Sequence, residues 1–120
     1  MTDLKARTKA FARGVFRPRH HLPRTDEVLV RKRQLLRSAS SVAANYRSAC
    51  RAKSRADFIS KLSTVEEEAD ESALWLELLD DEIRHLRAAS PVDLSSLLRE
   101  AGEFVAIRVA SKNTARKSQN

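Results

Sequence analysis

The sequence predicts an all-α protein whose helices pack as a bundle, and three observations carry that expectation. Phe58, Leu62, Val65, Ala69, Ser72, Leu76, Leu79, Ile83 and Leu86 keep an unbroken 4-3 spacing, the seam of a helix packed in a bundle over about four heptads. The stretch Gln34–Cys50 reads QLLRSASSVAANYRSAC. Its Leu35, Ala39, Val42, Tyr46 and Ala49 share one helical face, and so thin a face lets neighbouring helices approach closely. Finally, the chain has only 2 Gly and 3 Pro, while Ala, Leu, Glu, Lys and Arg, all good helix formers, dominate it.

The elements follow in order. A first helix is expected over about 3–17, with Leu4, Phe11 and Val15 on one side and Ala12 flanking. Lys5, Arg7, Lys9 and Arg13 occupy its other sides. Pro18 removes an amide donor and disfavours helical geometry at Arg17, so the helix kinks or stops there and RPRHHLPRT becomes a basic connection. The second helix, about 26–51, can be capped by Thr25 or Asp26. Val28, Leu29, Leu35, Leu36, Val42 and Ala43 define its inner side.

Ser54-Arg55-Ala56-Asp57 has capping-box spacing. A third helix over about 55–87 therefore follows after a short break and returns antiparallel to the second. Leu74, Trp75 and Leu78 fall off its seam. One buried face cannot hold both sets, so these three are the expected oligomer contact. Ser90 as cap, Pro91 in the first turn and Asp93 completing a box open a fourth helix, about 91–111. Leu94, Leu97, Leu98, Ala101, Phe104, Val105 and Val109 form its apolar face. The bundle thus spans 1–111 as one domain, and 112–120 is a basic flexible tail.

Charge is unevenly spread. The net charge is +7, but residues 1–56 hold 15 Lys/Arg against 3 Asp/Glu, and residues 57–104 hold 4 against 13. Such polarity suits an anionic partner, and it equally suits neutralisation between helices or subunits. The expected contacts to an RNA or DNA backbone are Arg13, Arg17, Arg19, Arg24, Arg31, Lys32 and Arg33, with Arg47, Arg51, Lys53 and Arg55 further along. Arginine offers phosphate a planar fork of donors. No base-reading module accompanies these residues, and aromatics are too few for a stacking platform. Backbone-dominated binding is what this pattern supports.

Other chemistry has little footing. Glu82-Ile83-Arg84-His85 gives one Glu-x-x-His spacing, but a di-iron bundle needs a second copy, so neither a metal nor a cofactor is expected. His20 and His21 sit in the basic connection with no ligand cluster beside them. Cys50 stands alone and reads as a small core residue. Asn45, beside the thin face, reads as a structural amide reaching a third-helix acid such as Glu66 or Glu68. No glycine-rich phosphate loop or nucleophile elbow occurs, and the chain is not expected to be an enzyme. No apolar run approaches the ~18 residues of a membrane span, and with one Cys and no signal-peptide pattern a cytoplasmic location is expected.

QLLRSxxSVxANY at Gln34–Tyr46, SRADFISKL at Ser54–Leu62, EADESALWLELL at Glu68–Leu79 and EAGEFVAIRVASKNTAR at Glu100–Arg116 together resemble the four helix bundle protein family. That family is also called the 23S ribosomal RNA intervening-sequence family, because some members are encoded within insertions in 23S ribosomal RNA genes. The resemblance implies four up-and-down helices and assembly into a ring-like homopentamer, and it implies no established activity. Two departures stand out: Pro18 interrupts the first helix, and Arg47-Ser48-Ala49 replaces the family's usual Arg-Glu-Ala. More distantly the chain is similar to the accessory proteins of diversity-generating retroelements, pentameric bundles that assist a reverse transcriptase and its RNA. The expected function is a non-enzymatic, self-associating bundle that offers a basic surface to RNA or DNA. The alternative is a scaffold or adaptor for other proteins whose charge asymmetry serves only self-assembly.

Overall fold

Side-chain oxygens set where the first three helices begin. Asp3 accepts from the Lys5 N–H, Thr25 Oγ from Val28 N at 3.2 Å, and Ser54 Oγ from Asp57 N at 3.0 Å, each satisfying an amide that a helix start leaves unpaired. At the third start, Asp57 also accepts from the Lys53 N–H, one residue before the cap, at 3.1 Å. These caps open α1 (Leu4–Gly14), α2 (Asp26–Ala49) and α3 (Arg55–His85), and α4 covers Ser95–Val105. This computed structural model describes residues 3–17, 22–86 and 93–107, among which there is no strand.

Two helix boundaries differ from expectation. The α-helical part of α1 stops at Gly14, not at Arg17, and the Val15 amide closes it onto Phe11 O at 3.3 Å. In α4 the described helix starts at Ser95, where Asp93 accepts from the Ser95 N–H at 2.9 Å. That bond holds the Asp93 carboxyl below its usual range. The expected cap Ser90, with Pro18, Arg19, His20, His21, Pro91, Val109 and the tail 112–120, lies outside the described residues.

The seam of α3 is the spine of the core. Leu62, Val65, Ala69, Ser72, Leu76, Leu79 and Ile83 are all buried, Phe58 is half-buried at its start, and Leu86 is exposed at its end. The thin face of α2 packs against it through Leu35, Ser38, Ala39, Val42 and Ala49. Tyr46 is half-buried at the edge of that face. Burial pushes its phenol pKa upward, with Cys50 and then Asp3 adding to the shift. Two side chains correct the sequence reading: Leu29 is exposed, and Cys50 caps the end of α2 in the open instead of joining the core.

Pairing between α2 and α3 runs in descending register. Arg31 meets Glu82 at 3.1 Å, Arg37 meets Glu71 and, at 3.4 Å, Glu68, and Ser38 meets Ser72 at 2.8 Å. A second pairing joins the ends of the chain. The Phe11 and Phe104 rings meet edge to face, with centroids 5.5 Å apart, and Arg7 lies over the Phe104 ring while pairing with Glu100 and Glu103. Leu97 approaches Gly14 so closely that a Cβ there would sit 3.2 Å from its Cδ2. Helix contacts therefore close a cycle, α1–α2–α3–α4–α1, around one apolar core. The molecule measures 53 × 21 × 18 Å.

Candidate nucleic-acid interface

The structure sorts the basic residues by whether an acid already holds them. Arg7 is taken by α4, and Arg31 and Arg37 by α3. Hydrogen bonds donated to Glu100 and Glu71 hold the Arg7 and Arg37 guanidinium groups above their ordinary pKa, so both stay charged. Arg31, the first residue of the Arg31–Arg33 cluster, thus points its charge inward at Glu82.

The rest are open. Arg13, Arg17, Arg24, Arg33, Arg47, Arg51, Lys53 and Arg55 are exposed and Lys32 is half-buried. None of them forms an ion pair with the described residues. Arg19 lies outside the described residues. The chain spreads these charges instead of gathering them. Arg33 and Arg47 are separated along α2 by roughly 21 Å, at 1.5 Å per residue. Arg51, Lys53 and Arg55 cluster at the α2–α3 turn, while Arg24 and Lys32 flank the start of α2.

Beside that start lies an open cleft of about 320 Å³, lined by Leu22, Pro23, Arg24, Thr25, Asp26, Val28, Leu29 and Lys32. Its cations share the wall with Asp26 and apolar side chains. Among the described residues no group of three or more His, Cys, Asp or Glu is placed to hold a metal ion, and no helix is long and apolar enough to cross a membrane.

A more regular array is on α1. Lys5, Lys9 and Arg13 are all exposed and recur every fourth residue, with exposed Arg17 continuing the spacing just past the helix. Side chains four apart stand one above the other on a helix, so Lys5, Lys9 and Arg13 make a cationic ridge about 12 Å long, which Arg17 prolongs past the helix end. None of the four forms an ion pair with the described residues. Lys5 and Lys9 were missed as contacts by the sequence reading, although their 5-9-13-17 spacing was visible there. Arg7 sits between them in number but off the ridge in phase, which is why it faces α4.

The other singled-out residues have structural neighbours. Asn45 donates back along α2, to the Ser41 carbonyl and to Ser41 Oγ, both at 2.9 Å. The buried polar link between α2 and α3 that was expected of it is made by Ser38 and Ser72. Leu74 is 47% exposed, Leu78 is half-buried, and half-buried Trp75 packs against the core. The Trp75 Nε1–H is itself buried, without a hydrogen-bond partner among the described residues.

A family model described as 23S rRNA-intervening sequence protein matches residues 2–106. A solved structure from Bacteroides thetaiotaomicron, described as a protein of unknown function from the S23 ribosomal protein family, is 32% identical with a TM-score of 0.72. The match covers 90% of this chain and 96% of that one. No curated protein matches the chain.

Proposed function

Because the chain belongs to the 23S rRNA-intervening sequence protein family, we propose that it is a non-enzymatic helical-bundle protein that self-associates and binds the phosphate backbone of RNA or DNA. The carrying observation is the α1 ridge of Lys5, Lys9, Arg13 and Arg17, exposed and held by no acid among the described residues. A nucleic-acid backbone presents negative charge at regular intervals, and a row of unneutralised cations binds it by releasing condensed counterions. The descending pairs Arg31–Glu82 and Ser38–Ser72, and the α1–α4 contacts, support the antiparallel up-and-down topology. A ring of five copies is what the resemblance implies, and it would repeat the ridge five times. The exposed Leu74 favours self-association and is equally the feature of the scaffold alternative, which needs no ridge.

The test is a fluorescence-anisotropy titration with single-stranded RNA and duplex DNA across roughly 50–200 mM salt. Wild type is expected to bind at low salt and lose affinity steeply as salt rises. Replacing Lys5, Lys9, Arg13 and Arg17 together by Gln should weaken binding and flatten the salt slope by roughly 0.7–0.9 per lost phosphate contact. Helicity should hold, since all four side chains are exposed. Absence of binding at the low-salt end would remove the nucleic-acid reading and leave the scaffold.

A further inference from the structure

Two outward faces of this chain match each other. On α2, Arg33, Ser40, Ala44 and Arg47 are all exposed and, with Arg37 between the first two, share one face at alternating three- and four-residue steps; exposed Arg51 follows in the turn just past the helix. The middle of that face is a shallow stretch of small side chains, and arginines stand at both ends. Arg37 lies on the same face but is held by Glu68 and Glu71 of its own chain. On α3, Glu67, Asp70, Leu74, Glu77 and Asp81 are all exposed, again at three- and four-residue steps. Here the middle is a protruding leucine and the ends carry acids. None of these four acids pairs with a base among the described residues.

We infer that the α3 face of one copy docks on the α2 face of a second copy, with Leu74 seated over Ser40 and Ala44 and acids meeting arginines on either side. The dimensions agree. Asp70 and Glu77 are about 10 Å apart along α3 and Glu67 and Asp81 about 21 Å, while Arg33 and Arg47 are about 21 Å apart along α2. Long arginine side chains span the remaining difference. A second copy is the occupant because every chain supplies both halves, and the charges exclude α2 on α2 or α3 on α3. Two different patches meet, so the contact either pairs two copies reciprocally or, made head to tail and repeated, closes a ring or extends a filament. The α1 ridge takes no part and stays free for another ligand. This inference rests on the self-association in the reading above, not on its nucleic-acid half.

Charge exchange tests it, with mass read by light scattering at about 0.15 M salt. Wild type should exceed the 13.5 kDa of one chain. Arg47→Glu with Arg51→Glu should fall to 13.5 kDa, and so should Glu77→Lys with Asp81→Lys. An equimolar mixture of the two variants should rise again, because each then offers the face the other lacks. Should a reversal variant lose helicity, Ala44→Trp blocks the α2 face without altering charge and should give 13.5 kDa while remaining folded. Wild-type mass in the reversal variants or in Ala44→Trp, or a mixture that stays monomeric, overturns the assigned surfaces. A monomeric wild type overturns self-association altogether and leaves nucleic-acid binding by α1 standing.

Discussion

Ser38 and Ser72 are each 0% exposed and meet across the α2–α3 contact. Ser38 Oγ also lies 3.3 Å from the Leu35 carbonyl, and Ser72 Oγ lies 2.9 Å from that of Glu68. Two hydroxyl protons serve these three contacts, so Ser72 donates either to Ser38 or to its own helix. Replacing either serine by Ala should cost about 0.5–1.5 kcal/mol, the net value of one hydrogen bond. The double replacement should cost less than the two singles together, by at least ~0.5 kcal/mol, as residues in direct contact do. Urea midpoints of the four proteins measure this, and strict additivity would show that the hydroxyls are uncoupled. Ser72 was legible in the sequence as a polar residue on an apolar seam. Its partner was not, because periodicity gives the phase of each helix but not the register between two of them.

At the scale of elements, α1 and α4 are short, 11 residues each, so packing and not propensity must hold them. Phe104, 1% exposed, supplies much of that packing, and Phe104→Ala should cost about 3–5 kcal/mol. Arg7→Gln removes two partly exposed ion pairs and a cation–π contact, each worth up to about 1 kcal/mol. It should loosen α1 with little effect on the α2–α3 pair. Amide exchange resolves the two outcomes: faster exchange confined to α1 and α4 for Arg7→Gln, and faster exchange throughout for Phe104→Ala. The four helices and, Leu29 and Leu86 apart, the inner faces of the described segments were legible because they follow from spacing within each segment. The split among cations was not. Arg7 and Lys9, or Arg31 and Arg33, are alike in sequence, and only the phase of α1 against α4 and of α2 against α3 decides which meets an acid. The turn at Gly14 and the exposure of Cys50 were missed for a related reason, since helix ends depend on a few local bonds that composition does not reveal.

Over the whole molecule, charge is arranged by face: a cationic ridge on α1, arginines along α2 and acids along α3. The cycle of helix contacts also has a temporal consequence. The α2–α3 hairpin is joined by a short turn and is complete once His85 has been made, so its contacts are local and should form early. Phe11, by contrast, waits for Phe104, which lies near the opposite end of the bundle sequence. During synthesis α1 precedes α2 and α3 yet completes its packing only with α4, Phe11 lacking Phe104 and Gly14 lacking Leu97 while the rest of the chain is added. A nascent chain arrested before Ser95 should therefore resist protease across α2 and α3 and be cut within α1, and release of the full chain should protect both together.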